Sequence, residues 1–285
     1  MPELPEVETI RRQLCAAGVE GRVIEKVYIE WPRTVEPLTP SAFCKQVQGC
    51  TLEKIDRHGK WLIFILGRDA SPRRPRTAGT AVPTNTNLLV HLRMTGGFYL
   101  TQSALEKGKH DRAILQLNGE LNLHFRDPRK FGRWKLATSI EGLGPDALTV
   151  TQKEFFQSLE EQNKVLKALL LDQSFVAGVG NIYADEALFE ARLDPRRKSG
   201  ALSDAEKLVL YKAATKVIKA GVRNKGTSLG AGQGNYVDLN GEAGDHREKV
   251  KVYGRAGQPC VVCGQPLHKT KISQRTTVFC AHCQK

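Results

Sequence analysis

The chain has 285 residues, 40% of them hydrophobic, and 43 Lys and Arg against 30 Asp and Glu give a formal net charge of +13. That length and apolar share allow two ordinary domains plus a small appendage and exclude general disorder. The charge favours a polyanionic partner, nucleic acid first, although a merely basic soluble protein would show the same excess.

No run reaches the ~18–20 apolar residues needed to cross a bilayer. The opening Met1-Pro2-Glu3-Leu4-Pro5-Glu6 carries acids where a secretory leader carries positive charge. A cytoplasmic chain with no membrane partner is therefore expected. Residues 5–18 read as a short amphipathic helix. Pro5 starts it, Glu6 and Glu8 sit in its first turn, Val7, Ile10 and Leu14 share a face, and Gly18 ends it.

From about 22 to 137 the pattern is strand. Val27, Ile29 and Trp31 alternate, and Trp61 to Leu66 reads as a continuous buried run. Leu115 and Leu117, then Leu121, Leu123 and Phe125, flank the hairpin signal Asn118-Gly119. Short strands with turn signals predict a β-sandwich. Between two of them, Arg68 to Asn87 is rich in Pro, Arg, Thr and Ser and reads as a mobile surface loop.

After Gly142-Leu143-Gly144-Pro145 the period becomes helical, through Phe155, Phe156 and Leu159 and then Val165, Leu166, Leu169 and Leu170. Ser203 and Glu206 make a capping box for a long helix that Gly221 is expected to end. A glycine-rich tract, 226–244, leads to the C-terminal cysteines. The fold class is α+β, divided as 1–145 (sandwich with a flanking helix), 146–245 (helical) and 246–285 (cysteine module).

Seven cysteines fall into two sets. Cys15, Cys44 and Cys50 are scattered and read as reduced core thiols. Cys260-x2-Cys263 and Cys280-x2-Cys283 have the spacing of two knuckles that clamp one structural zinc in a closed thiolate shell; a pair of redox dithiols is the rival reading. Four sulfurs leave no position for an activated water. His268 and His282 read as bystanders, and Lys269, Lys271 and Arg275 make a basic face that is either solvated or nucleic-acid-binding. Upstream, Leu171 to Ala187 joins two helical patterns through Gly178 and Gly180. Asn181 can cap the second helix, whose start would offer backbone N–H groups to a phosphate.

The opening Met1-Pro2-Glu3-Leu4-Pro5-Glu6-Val7-Glu8-Thr9 resembles that of the formamidopyrimidine-DNA glycosylases, which excise 8-oxoguanine and ring-opened purines. The likeness continues through Arg57-His58-Gly59-Lys60, His91-Leu92-Arg93-Met94, Lys109-His110-Asp111 and Asp127-Pro128-Arg129-Lys130-Phe131-Gly132. It ends with Gly178-Val179-Gly180-Asn181-Ile182-Tyr183, Val252-Tyr253-Gly254-Arg255 and the four cysteines.

The resemblance implies a β-sandwich, a helix–two-turn–helix domain and a zinc finger around a DNA cleft. It also implies duplex DNA with oxidised purines as substrate and a monomer. With Met1 removed, Pro2 becomes a secondary amine that attacks C1′ of the damaged nucleoside and forms an imine. Its pKa starts near about 8; the helix N-terminus lowers it, and Glu3 and Glu6 act the other way. Glu3 takes the general-acid role at the sugar ring oxygen, which requires a pKa raised by burial.

Lys60 and Arg275 match the partners of β- and δ-elimination. Met94, Arg129 and Phe131 match residues that fill the space of the extruded base, with Arg129 on the orphaned cytosine. Taken alone, Met94 and Phe131 would read as core and Arg129 as a surface charge. His91, His110, Asn181, Tyr253 and Arg275, and more weakly Lys167, match holders of the lesion-strand backbone. Two departures stand out: the long Arg68 to Asn87 loop and an insertion at Gly230 to Gly234, in the segment that closes over the base. Rival readings are an endonuclease VIII-like enzyme for oxidised pyrimidines, whose opening has glycine in place of Leu4, and a non-catalytic zinc-ribbon DNA-binding protein.

Overall fold

The computed structural model describes residues 1–68, 86–102, 105–160, 162–229 and 236–285. The expected mobile loop between Arg68 and Asn87 and the Gly230–Gly234 insertion thus lie essentially outside the described residues. The chain forms two compact units. One contains Met1–Pro2, Glu6–Ile140 and Ser228–Gly244; the other contains Glu3–Pro5, Glu141–Thr227 and Asp245–Lys285.

In the first unit, helix α1 (Leu4–Ala16, all but its first two residues) and helix α2 (Pro40–Val47) accompany two antiparallel sheets. One sheet has the order β1 (Ile24–Ile29), β6 (Asp111–Leu117), β7 (Leu121–Arg126), β5 (Gly97–Gln102). The other runs β2 (Cys50–His58), β3 (Trp61–Arg68), β4 (Asn87–His91), β8 (Arg133–Ala137). A single apolar core joins them: Ile24, Leu115, Leu123 and Phe125 from the first meet Leu52, Leu62, Phe64, Val90 and Trp134 from the second. Phe98 stands 6.0 Å from Phe64 and 6.2 Å from Trp134, ring to ring, across the sandwich.

Val7, Ile10 and Leu14 of α1 enter this core as their spacing requires. The continuous run expected in β3 is in fact an alternating one. Leu62 and Phe64 are buried, whereas Trp61, Ile63 and Ile65 on the opposite face are half-buried, because only one face of each sheet meets the core. The hairpin at Asn118-Gly119 forms between β6 and β7 with Leu115 paired to Leu123.

In the second unit, helices α3 (Gln152–Glu160), α4 (Leu166–Leu171), α5 (Asn181–Ala191) and α6 (Asp204–Arg223) bury one apolar cluster. The Ser203–Glu206 capping box is present. Gly221 does not end α6, which continues to Arg223. Gly221 is buried, and a Cβ there would come within 2.5 Å of the Tyr183 ring, so the glycine lets α6 pack closely on α5. A C-terminal hairpin, β9 (His268–Ile272) and β10 (Arg275–Phe279), packs with the cysteine knuckles in a third, small core. Among the described residues no helix is long and apolar enough to cross a membrane.

Candidate active site and nucleic-acid interface

In the first unit, Pro2 is buried and lines a cavity of about 230 Å³ with Met94, Phe98, Tyr99, Tyr236 and Val237 among its walls. Met94 (38% exposed) and Phe131 (43% exposed) stand outside the core, so the reading of both as core residues fails. Arg129 is exposed too, with its guanidinium 4.8 Å over the Phe131 ring. The turn that presents them is organised from beneath by buried Asp127. That carboxylate accepts hydrogen bonds from Gly132 N (2.7 Å), Arg129 N (3.2 Å) and the Thr95 hydroxyl. Composition gave no hint of Asp127, although it opens the motif that carries Arg129.

Lys60 sits at the β2–β3 hairpin and is 8% exposed. The preceding Arg57 is buried against Glu8 of α1, its Nε 3.1 Å from the carboxylate. His91, at the end of β4, is half-buried with its ring edge-on to Trp61. Burial pushes its pKa down to about 3, with help from the nearby charges of Arg93 and Lys60. Its Nδ1 accepts from Arg93 N at 2.9 Å, which assigns the proton of the neutral ring to Nε2, a donor suited to a phosphate oxygen. His110 is half-buried, with Nδ1 3.5 Å from Arg112 Nη2.

In the second unit, Glu3 is 2% exposed and caps α5. Its two carboxylate oxygens accept from Ile182 N (3.0 Å) and Tyr183 N (3.4 Å), while Leu4 N donates to Gly178 O at 3.1 Å. A Cβ on Gly180 would lie 2.2 Å from the Glu3 carboxyl carbon, and Gly178 has φ +110°, so the Gly-Val-Gly segment is what admits Glu3 to the helix start. Gly180, not Asn181, is the N-cap, and two of the N–H groups expected to face a phosphate are taken by Glu3. The Asn181 amide instead donates to Thr276 O of β10 at 3.1 Å.

Lys167 does not stand at the surface where a DNA backbone could reach it. It is fully buried, with Nζ 2.6 Å from Asp185 Oδ1 and 2.9 Å from Asn181 O, and is therefore withdrawn from the backbone contacts. Burial raises the Asp185 pKa to about 6 against the pull of Lys167, and burial lowers that of Lys167. Asp185 Oδ2 accepts from Val278 N of β10 (3.1 Å). Neighbouring Glu186 accepts from Lys251, Val252 and Tyr253 N, each at 2.8 Å. Adjacent acids on a helix as apolar as Asn181–Ala191 are the sequence signal that would have flagged this pair. Tyr253 is half-buried, and burial raises its phenol pKa.

The four C-terminal sulfurs lie within 4.8 Å of one another, with Cys263–Cys280 at 3.5 Å and Cys260–Cys283 at 3.9 Å. A tetrahedral zinc with Zn–S of about 2.3 Å needs S–S edges of about 3.8 Å. Val262 N points at Cys260 Sγ (3.5 Å) and Cys283 N at Cys280 Sγ (3.4 Å), which suits thiolates held in knuckles. The residues fit one structural zinc. Arg275, Lys269 and Lys271 are all exposed, but they do not make a single basic face. Register pairs Lys269 and Lys271 with Val278 and Thr276 on one side of the hairpin, whereas Arg275 pairs with Ile272 on the other.

A zinc in that closed thiolate shell would support structure and leave the chemistry to other residues, and with the β-sandwich, the helical unit and a net charge of +13 it marks a basic zinc-finger protein of the nucleic-acid-handling class. The family models described as the formamidopyrimidine-DNA glycosylase N-terminal domain and H2TH domain match residues 1–134 and 142–232, and the zinc finger found in FPG and IleRS matches 257–285. A formamidopyrimidine-DNA glycosylase from Protochlamydia amoebophila is 38% identical over 291 residues, covering 100% of both chains. The Lactococcus lactis Fpg protein solved with DNA containing N7-benzyl-Fapy-dG is 31% identical with TM-score 0.84, covering 100% of both chains. The same protein with abasic-site DNA gives TM-score 0.83 at 31% identity over 99% of each chain. The chain belongs to the formamidopyrimidine-DNA glycosylase family.

Proposed function

We propose that this enzyme excises oxidised purines, 8-oxoguanine and formamidopyrimidines, from duplex DNA and then cuts the abasic strand by β,δ-elimination. It acts as a monomer in the bacterial cytoplasm. The observation that carries the reading is Pro2 beside a cavity bordered by Met94, with a glutamate as its next residue in the chain. The reading requires loss of Met1. While Met1 is attached, the proline nitrogen belongs to an amide whose lone pair is delocalised. Once freed, that nitrogen attacks C1′ as the glycosidic bond breaks; the damaged base leaves with the bonding electrons and takes up a proton, and the nitrogen gives up its N–H proton. Glu3 protonates O4′ as the sugar opens, and the nitrogen lone pair forms the iminium. The iminium acidifies C2′–H, so a base removes that proton and the 3′ phosphate leaves; a second elimination releases the 5′ phosphate. Lys60 and Arg275 serve these eliminations.

His91, His110, Asn181 and Tyr253 hold the lesion strand. Met94, Arg129 and Phe131 fill the gap left by the extruded base, with Arg129 on the orphaned cytosine. Borohydride trapping on duplexes carrying 8-oxoguanine opposite each base, beside duplexes with oxidised pyrimidines, tests this. A covalent adduct on the 8-oxoguanine:cytosine duplex, formed by protein whose mass lacks methionine, is expected. Equal trapping by a species that keeps Met1 would make another amine the nucleophile.

A further inference from the structure

The turn that carries Arg129 and Phe131 is fixed at its two ends by Asp127, through Gly132 N and Arg129 N. Its crest is Lys130, which has φ +63°, a left-handed conformation uncommon for a lysine. This backbone sends Lys130 away from its neighbours: its Nζ lies 4.1 Å from the Trp31 ring centroid, while Arg129 covers Phe131. Trp31 has a firm mount just after β1. Its backbone N–H donates to Arg112 O (3.3 Å) and its carbonyl accepts from Thr34 N (2.9 Å) in the turn Pro32–Thr34. The tryptophan belongs to none of the motifs that mark the family resemblance.

We propose that Trp31 is a positioning residue for base extrusion. By holding the Lys130 ammonium on its ring it keeps the crest left-handed, and the crest in turn aims Arg129 and Phe131 outward together. The proposal rests on the reading of those two residues as gap fillers. A cation over a tryptophan face is attractive enough to bias such a turn without being essential to the fold.

The test uses the processed, zinc-loaded enzyme and three readouts: single-turnover excision of 8-oxoguanine opposite cytosine, strand cleavage at a preformed abasic site, and fluorescence of 2-aminopurine beside the lesion, which reports unstacking. Trp31→Ala and Lys130→Met should each slow excision about three- to tenfold and weaken the fluorescence change, while abasic cleavage, with no base to extrude, stays within about twofold. The double variant should be no slower than either single one, and Trp31→Phe and Lys130→Arg should recover most of the rate. Additive losses, equal losses on the abasic duplex, or unchanged excision would overturn the proposal. Phe131→Ala is the benchmark. If it also leaves excision intact, the gap-filling reading itself fails; if Phe131→Ala is slow and Trp31→Ala is not, only the anchor fails.

Discussion

The Nδ1 atom of His91 is occupied by the Arg93 backbone N–H, and burial beside Arg93 and Lys60 keeps the ring neutral, with a pKa of about 3. Its imidazole resonances should therefore show no titration between pH 5 and 8; an NMR titration with a midpoint near 6 would mean that His91 meets DNA as a cation. The sign for stability follows from linkage. The folded pKa lies below the unfolded value near about 6.5, so the unfolded chain binds more protons and His91 lowers stability as pH falls from about 6.5 toward 3. Arg129 supports a prediction of another kind. A bidentate arginine carries about 1–3 kcal/mol of base discrimination, so Arg129→Ala should lose most of the preference for cytosine opposite the lesion. Uniform loss against all four opposing bases, in a cleavage panel, would reduce Arg129 to a backbone or packing contact.

At the scale of elements, helix α1 is tied to the β2–β3 hairpin through one carboxylate. Glu8 is buried, which alone would raise its pKa, yet hydrogen bonds from Arg11, Arg12 and Arg57 bring it down to about 2. A depressed carboxyl stabilises the fold above its unfolded pKa, and that contribution is lost as pH falls from about 4.5 through about 2. Glu8→Gln should cost about 2 kcal/mol at pH 7, allowing for partial solvent screening, and almost nothing near pH 2. Urea unfolding at both pH values checks this, and an equal deficit at each would assign the loss to packing. Elements of this kind were legible in the sequence wherever periodicity or capping chemistry determines them, as in α1, the Asn118-Gly119 hairpin and the Ser203–Glu206 box. Contacts distant in sequence were not. Gly221 reads locally as a helix stop, because nothing in its neighbourhood announces the Tyr183 ring against it. Lys167 reads as a surface cation until Asp185, eighteen positions on, is seen to meet it in the core. Asn181 reads as a cap because Glu3, which takes part of that role, lies at the other end of the sequence.

On the scale of the whole molecule, zinc reaches further than its four ligands. Strand β10 is hydrogen-bonded to α5 at two places, Asn181 Nδ2 to Thr276 O and Val278 N to Asp185 Oδ2, and Asp185 is the partner of buried Lys167. The knuckles and hairpin have only a small core, Val252, Leu267 and Val278 beside the cysteines with Phe189 of α5 against them, so metal binding supplies much of their folding energy. Removing zinc should then unfold the C-terminal module and withdraw a hydrogen bond from Asp185, leaving a desolvated carboxylate less well satisfied inside the helical unit. Among the described residues, the buried cluster of the sandwich includes none from 246–285. Calorimetry of metal-free protein should accordingly show an unchanged transition for the sandwich and a lower one for the helical unit, and DNA binding should weaken. Asp185→Asn in zinc-loaded protein should reproduce part of the lower transition while four thiolates still hold one zinc by elemental analysis. If chelation leaves the helical transition where it was, the α5–β10 hydrogen bonds do not couple the finger to its neighbour. If native protein contains no zinc at all, the cysteines are not a metal site.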